Sequence, residues 1–352
     1  MQKVKHSPLH CSFSNVYFNF IILIGVIAIF SGCGNSGERG RADNELSSAE
    51  LDTLIYSAPQ NYLKVRDKFD ASRKLKIRSY KDMFELFDEL DYTPEAWQAG
   101  IRKIPRVYLP IIGDRWGSFS SKEITVENKK RLFFRGIAPL ILRANELIMT
   151  DRNRLKDIIS TVNKNRSLAE KDQKWIHKLA QVYKVSFGDS SLTASGLEEL
   201  LKKVDIVPVS LALAQAAEES GWGTSRFAAE GNAVYGQWTW GENAITPKKQ
   251  REELGNYGIA SFGTLQESVC AYMLNLNTHN AYASLRNKRA ELRKKNENIT
   301  GYILAGQLTK YSERGEEYVK GLRSLMEYNR LAPTDDAYLS DDPPIYLVPV
   351  AE

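Results

Sequence analysis

Residues 211–223 read L-A-L-A-Q-A-A-E-E-S-G-W-G, an almost wholly apolar helix that ends on two acids and stops at Ser220-Gly221-Trp222-Gly223. A carboxylate at the inner end of a buried helix is costly to ionise. Loss of water and the negative pole of the helix dipole both favour its protonated form. A carboxylic acid kept protonated near neutral pH is what glycosidic bond cleavage requires of its general acid. Ring side chains follow at once at Trp222, Phe227, Tyr235, Trp238 and Trp240. Acid and aromatics together point to a sugar polymer as substrate.

Outward from this helix, Val207-Pro208 marks its start, with proline near the first turn. Upstream, Ser195 reads as the N-cap of a helix over Gly196–Val204, with Glu198 at the capping-box position. Residues 186–191 are a Ser/Gly/Asp loop, and Asp172–Tyr183 are helical. Thr125–Met149 have a strong amphipathic pattern, with Leu132, Phe133, Ile137, Leu140, Ile141 and Ala144 on one side. Pro139 predicts a kink or boundary there, and Asp151 begins another helix. The stretch I-P-R-V-Y-L-P at 104–110 must be extended, because each proline biases its predecessor away from helix. Pro94 opens a short helix, and residues 51–90 have charged helical periodicity interrupted at 72–79. Downstream, residues 228–262 read as loops with a small β-hairpin, followed by helices over 265–276, 300–307 and 316–329. The tail after Pro333, with Asp335, Asp336, Asp341, Asp342 and several prolines, reads as irregular. The fold class is therefore mainly α (α+β), with a small β-hairpin or loop lobe.

The chain has 352 residues, 43% hydrophobic and 26% charged, the composition of a soluble globular protein with room for about two domains. A formal charge of +5 suits weak attraction to an acidic polymer and is too small to argue for nucleic acid. No zinc-type Cys/His spacing occurs, and neither a metal, a cofactor nor a protein partner is implied. Cys33 follows the apolar run Phe20–Phe30, with Lys3 and Lys5 upstream. The run is too short to span a bilayer as a mature helix. I-F-S-G-C resembles a bacterial lipobox, whose cysteine is lipidated and becomes the mature N-terminus. The alternative is an ordinary cleaved secretion signal. On the lipobox reading Cys11 leaves with the signal and Cys270 has no partner. Gly34, in place of the aspartate that retains lipoproteins in the inner membrane, then favours the outer membrane, facing the periplasm. The expected organisation is a signal peptide over 1–32, a tether over 33–50, a helical N-terminal region over 51–185, the catalytic unit over 186–332 and the acidic tail over 333–352.

Glu218 and Glu219 are adjacent and point about 100° apart, so they cannot both face one cleft. The competing reading of either is a solvent-facing acid near a helix C-terminus. Trp238 and Trp240 alternate; on a strand they share a face suited to stacking on a pyranose, although core packing explains one of them equally well.

L-A-Q-A-A-E-E-S-G-W-G-T-S resembles the signature of the bacterial endo-β-N-acetylglucosaminidase domains of glycoside hydrolase family 73, in which the pattern is A-Q-x-x-x-E-S-G-W-G. More widely, the chain is similar to the Bax family of Gram-negative bacteria. The similar stretches include I-P-R-V-Y-L-P, K-K-R-L-F-F-R-G-I-A-P-L-I-L-R-A-N-E, G-N-A-V-Y-G-Q-W, L-N-T-H-N-A-Y-A-S-L-R and Y-S-E-R-G-E-E-Y-V. The resemblance covers roughly residues 100–330. It implies a lysozyme-like domain acting on peptidoglycan, with Glu219 as catalytic acid and Glu218 at a position that is usually apolar. It also implies a cleft lined by Asn232, Tyr235 and Gly236, with Tyr282 orienting substrate or water. Tyr311, in Y-S-E-R-G, would help close that cleft; Ser312 as a helix N-cap is the alternative for this segment.

The second carboxylate is not fixed by any spacing. The candidates are Glu230, Glu242, Glu252 and Glu253, of which Glu242 and Glu253 lead. An acid about 6.5–9.5 Å from Glu219 would support inversion through an activated water. Without one, the 2-acetamido group of the substrate attacks the anomeric carbon, and the sequence leans toward this route. The expected activity is cleavage of β-1,4 bonds after N-acetylglucosamine. The alternatives are a muramidase or lytic transglycosylase, and a non-catalytic wall-binding lipoprotein.

Overall fold

A computed structural model describes residues 72–112, 124–187, 192–240, 244–247 and 257–350. Cys33, the signal and tether, and the helical reading of 51–71 lie outside these residues. The described chain opens with β1 (Arg73–Ile77), α1 (Tyr80–Glu89) and α2 (Pro94–Gln98). The Ser79 and Thr93 hydroxyls cap the two helices by accepting the Asp82 and Ala96 N–H groups. Pro105 separates β2 (Lys103–Ile104) from β3 (Val107–Tyr108), the extended stretch that the prolines require.

A single helix of 38 residues follows, α3 (Val126–Asn163), capped by Thr125. It corrects two expectations, since it runs through Pro139 and continues past Asp151. A proline inside a helix costs about 3 kcal/mol in a lost hydrogen bond and a steric clash. Burial of Leu132, Phe133, Ile137, Leu140 and Ile141 on the same helix outweighs that at about 1.5–3 kcal/mol each. The helix then enters a second apolar cluster, in which Leu155 and Ile158 pack with α4 (Glu170–Val182) and α5 (Ala194–Lys203). The cap of α5 is Thr193, which accepts from the Gly196 N–H; Ser195 lies inside the helix.

The remaining helices are α6 (Val209–Ser220), α7 (Arg226–Gly231), α8 (Leu265–Thr278), α9 (Ala283–Lys295), α10 (Gly301–Ala305) and α11 (Glu316–Tyr328). Between α7 and α8 lies a small antiparallel sheet of β4 (Trp238–Thr239), β6 (Gly258–Ala260) and β5 (Ala244–Ile245), in that spatial order. This is the expected small lobe, with three short strands rather than two. Gly258 lets it close: a Cβ there would lie 2.7 Å from the Ala244 Cβ.

The tail overturns its reading as irregular. β7 (Tyr338–Leu339) pairs with β2, and β8 (Ile345–Pro349) lies between β1 and β3, parallel to both. Its I-Y-L-V sequence is a good strand former, and Leu347 is fully buried. The N-terminal region, expected to be helical apart from its extended stretch at 104–110, therefore contains strands completed by residues 338–349. One hydrophobic core runs from Ile77 to Leu347 and takes in α3, α6, α8 and α11. The boundary expected at 185/186 thus falls between stretches that share this core.

Candidate active site

Helix α6 is buried along its whole run from Val209 to Ala217, so its ends must be satisfied by the protein. At the start, Pro208 has no side chain to cap with. The carboxylate of Asp335, brought in from the tail, takes over. Its Oδ1 accepts the Ser210 N–H at 2.8 Å, and its Oδ2 accepts the Ser210 hydroxyl and the Gly301 N–H, each at 2.8 Å. At the end, Gly221 is left-handed (φ 57°, ψ 48°), and both its N–H and that of Trp222 reach the Ala217 carbonyl. Ser220 ties the turn, donating to the Ala216 carbonyl at 2.6 Å and accepting from the Gly223 N–H at 2.8 Å. Trp222, itself at φ 62°, meets Phe133 and Phe134 of α3 edge-on at 6.0 and 5.1 Å. The Lys130 ammonium lies over its ring at 4.7 Å. This tryptophan anchors the helix end to α3, and its ring is already engaged by the protein.

Glu219, the penultimate residue of α6, is only partly exposed. Its Oε1 accepts a hydrogen bond from the Tyr318 hydroxyl at 2.7 Å. Burial pushes its carboxyl up to about 8 from an ordinary 4.5. The Tyr318 bond pulls the other way, the charge on Glu218 adds to the rise, and Arg314 opposes it. Glu218 points elsewhere, forming an ion pair with Arg314 at 2.6 Å, and the Arg314 guanidinium also lies 5.2 Å from the Tyr318 ring centre. The two acids therefore divide as helix geometry requires, one toward the tyrosines and one toward an arginine.

The tyrosines form a stack beside Glu219. Tyr311 is parallel to Tyr318 at 5.4 Å, and Tyr282 is 5.6 Å from Tyr311. Burial raises all three phenols above their ordinary value, and the nearby Glu219 adds to it. Glu219, Tyr282 and Tyr311 are thus brought together. Tyr235 is also close in the fold, but it is buried and stacked on Tyr272 at 3.8 Å. Asn232 is a buried clip, with its Oδ1 accepting the Ile112 N–H and its Nδ2 donating to the Phe262 carbonyl. Gly236 takes a positive φ of 57°, with open space where a Cβ would point. Trp238 stacks on Tyr257 at 4.5 Å, while Trp240, just past β4, is 54% exposed. Of the second-acid candidates, Glu230 pairs with Arg226 at 3.0 Å. Glu242, Glu252 and Glu253 lie outside the described residues. Among the described residues no cluster of three or more His, Cys, Asp and Glu side chains has the arrangement of a metal site.

Sequence reasoning missed Tyr318 and Gln215. Gln215 lies one helical turn before Glu219, within the A-Q-x-x-x-E spacing, so an i, i+4 reading would have found it. Tyr318 is 99 residues from Glu219, and no local signal connects them. Arg314 and Glu218, the ion pair beside them, both sit in quoted motifs.

A family model described as mannosyl-glycoprotein endo-beta-N-acetylglucosaminidase matches residues 194–331. The chain is also 34% identical over 203 residues to protein bax of Escherichia coli strain K12, an alignment spanning 57% of this chain and 70% of that protein. No solved structure matches.

Proposed function

We propose, for a chain that belongs to the Bax-like family of glucosaminidase-domain proteins, that it hydrolyses peptidoglycan at the β-1,4 bond after N-acetylglucosamine, with Glu219 as the general acid. The observation that carries this reading is the Glu219 carboxyl at the end of a buried helix, its affinity for a proton raised to about 8 beside three tyrosines. Such a group is protonated at neutral pH and can hand its proton to a departing sugar oxygen.

In the proposed reaction the Glu219 proton moves to the glycosidic oxygen as the C1–O bond breaks. The acetamido carbonyl oxygen of the same sugar closes on C1 and holds the positive charge. Water then opens that ring intermediate and returns a proton to the Glu219 carboxylate. This route needs one protein carboxyl and not two. It is favoured because, among the described residues, the acid beside Glu219, Glu218, is paired with Arg314. Tyr282 and Tyr311 supply the ring surfaces and hydroxyls next to the acid, and Trp240 provides an exposed ring farther along the small lobe.

The reading includes a lipid anchor at Cys33 that holds the protein at the outer membrane facing the wall. Incorporation of a labelled fatty acid that disappears in Cys33→Ala tests the anchor. Digestion of purified sacculi by the full chain in detergent, with mass spectrometry of the new ends, tests the chemistry. Reducing-end N-acetylglucosamine is expected, with release falling by about 10²–10⁴-fold in Glu219→Gln. A 1,6-anhydromuramic end would reassign the enzyme to the lytic transglycosylases.

A further inference from the structure

Behind Glu219 lies a line of buried polar groups that proton donation to the substrate does not itself require. The Tyr272 hydroxyl is 2.6 Å from Gln215 Oε1. Gln215 Nε2 is 3.0 Å from the Tyr318 hydroxyl, which is 2.7 Å from Glu219 Oε1. Gln215, Tyr272 and Tyr318 are all fully buried, and they come from three helices, α6, α8 and α11. Burying an amide and two hydroxyls is costly unless each is paired. Here each finds a partner in the next, and the line ends on the carboxyl.

The chemistry of the groups gives the line a direction. An amide nitrogen can only donate, so Tyr318 accepts from Gln215 and must spend its single proton on Glu219. An amide oxygen can only accept, so Tyr272 donates to Gln215. Glu219 Oε1 is thereby held as an acceptor. When the carboxyl is neutral, its proton sits on Oε2.

We infer that Gln215 and Tyr318 are positioning residues that orient the Glu219 proton toward the substrate by denying it the inner oxygen. The inference rests on the general-acid reading of Glu219. With the relay reversed, the Glu219 proton would point inward to Tyr318 and be withheld from the leaving group. The groups facing Glu219 are Glu218 on its own helix, Tyr272 on α8, Tyr282 in the turn after it, Tyr311 and Arg314 in the segment before α11, and Tyr318. The Tyr318 hydroxyl is bonded to the carboxyl.

Tyr318→Phe and Gln215→Met break the relay at successive links while preserving side-chain bulk. In Tyr318→Phe the carboxyl loses a bond that favours its charged form, so the alkaline limb of kcat/KM moves up by about one pH unit. The same variant loses kcat by about 10²-fold with little change in KM. Gln215→Met frees the Tyr318 hydroxyl to turn and lowers kcat in the same sense. The double variant is no worse than Tyr318→Phe alone, because Gln215 acts through Tyr318. Additive losses, or an unmoved limb, overturn the relay. Titration of the Glu219 carboxyl by carbon-13 NMR in the wild type and Tyr318→Phe reads the same shift without any turnover. A chain that cuts no glycan but shows the shift would retire the hydrolase and keep the relay; a chain that cuts glycan without the shift would do the reverse.

Discussion

Two carboxylates flank helix α6, Asp205 four residues before its start and Glu219 one residue before its end, and the fold gives them opposite charge states. Asp205 is 2% exposed and is gripped by arginines. The Arg293 guanidinium meets its two oxygens at 2.6 Å each, with Arg152 at 3.4 Å and Arg289 at 3.7 Å. Burial alone would raise its carboxyl, yet the guanidiniums together hold it below the ordinary carboxylate range. Glu219 is also withdrawn from water, but it faces phenols, and its carboxyl is pushed up to about 8. Desolvation is the leading influence on both acids and favours the neutral form of each. What differs is the chemistry of the partners. Full positive charges make a structural anchor, and neutral hydroxyls leave a proton available for transfer.

The contrast breaks most severely at Arg289, whose side chain is fully buried. It also donates to the carbonyls of Asp205, Ile206 and Lys202 and to Asn277 Oδ1. Arg289→Met should destabilise the protein by about 3–5 kcal/mol, because a buried anion loses a partner. Urea unfolding measures this, and a loss below about 1 kcal/mol would show that Arg289 is dispensable to Asp205.

A second effect, spread over several pH units, sharpens the contrast. The folded-state proton affinity of Glu219 is raised, so its contribution to stability is complete below 4.5 and is lost as pH rises through about 8. Over that window the wild type should lose stability relative to Glu219→Gln by up to about 1.4 kcal/mol per pH unit. Asp205 is lowered, so its contribution is present above 3.8 and is lost as pH falls through its folded value. Thermal melts of both proteins from pH 4 to 9 read the Glu219 slope, melts below pH 3.8 read that of Asp205, and parallel curves on the alkaline side would mean that Glu219 is not protonated in the folded state.

The smallest effect lies at the helix start. Asp335→Asn removes the charge and turns one of the two accepting oxygens into an NH2 group that faces an N–H donor, and should cost about 1–3 kcal/mol. An unchanged melting temperature would mean that the Asp335 cap is dispensable to α6.

Helix α6 was legible because its signals are local: an unbroken apolar run, a proline before it and a left-handed glycine after it. The other elements show where local reading stops. Helix α9 escaped notice because A-S-L-R-N-K-R-A-E-L-R-K-K looks like a solvated charged stretch. Its buried positions are Leu285, Arg286, Arg289 and Leu292, so two arginines occupy the core-facing positions, where periodicity expects apolar residues. Pro139 suggested a break that the packing of α3 overrides. Tyr318 and Asp335 reach α6 from 99 and 125 residues away, and strand β8 pairs with partners more than 230 residues earlier. Sequence alone pointed to Glu219, Tyr282 and Tyr311, but not to Gln215 and Tyr318, which lie in the hydrogen-bonded line that ends on Glu219.

The parallel seat of β8 between β1 and β3 has a consequence for biosynthesis. A growing polypeptide that has emerged only as far as Leu331 carries β1, β2 and β3 without the strands that pair with them and a helix α6 that lacks its Asp335 clasp. Maturation must therefore wait for the segment after Leu331 to thread into the middle of the sheet.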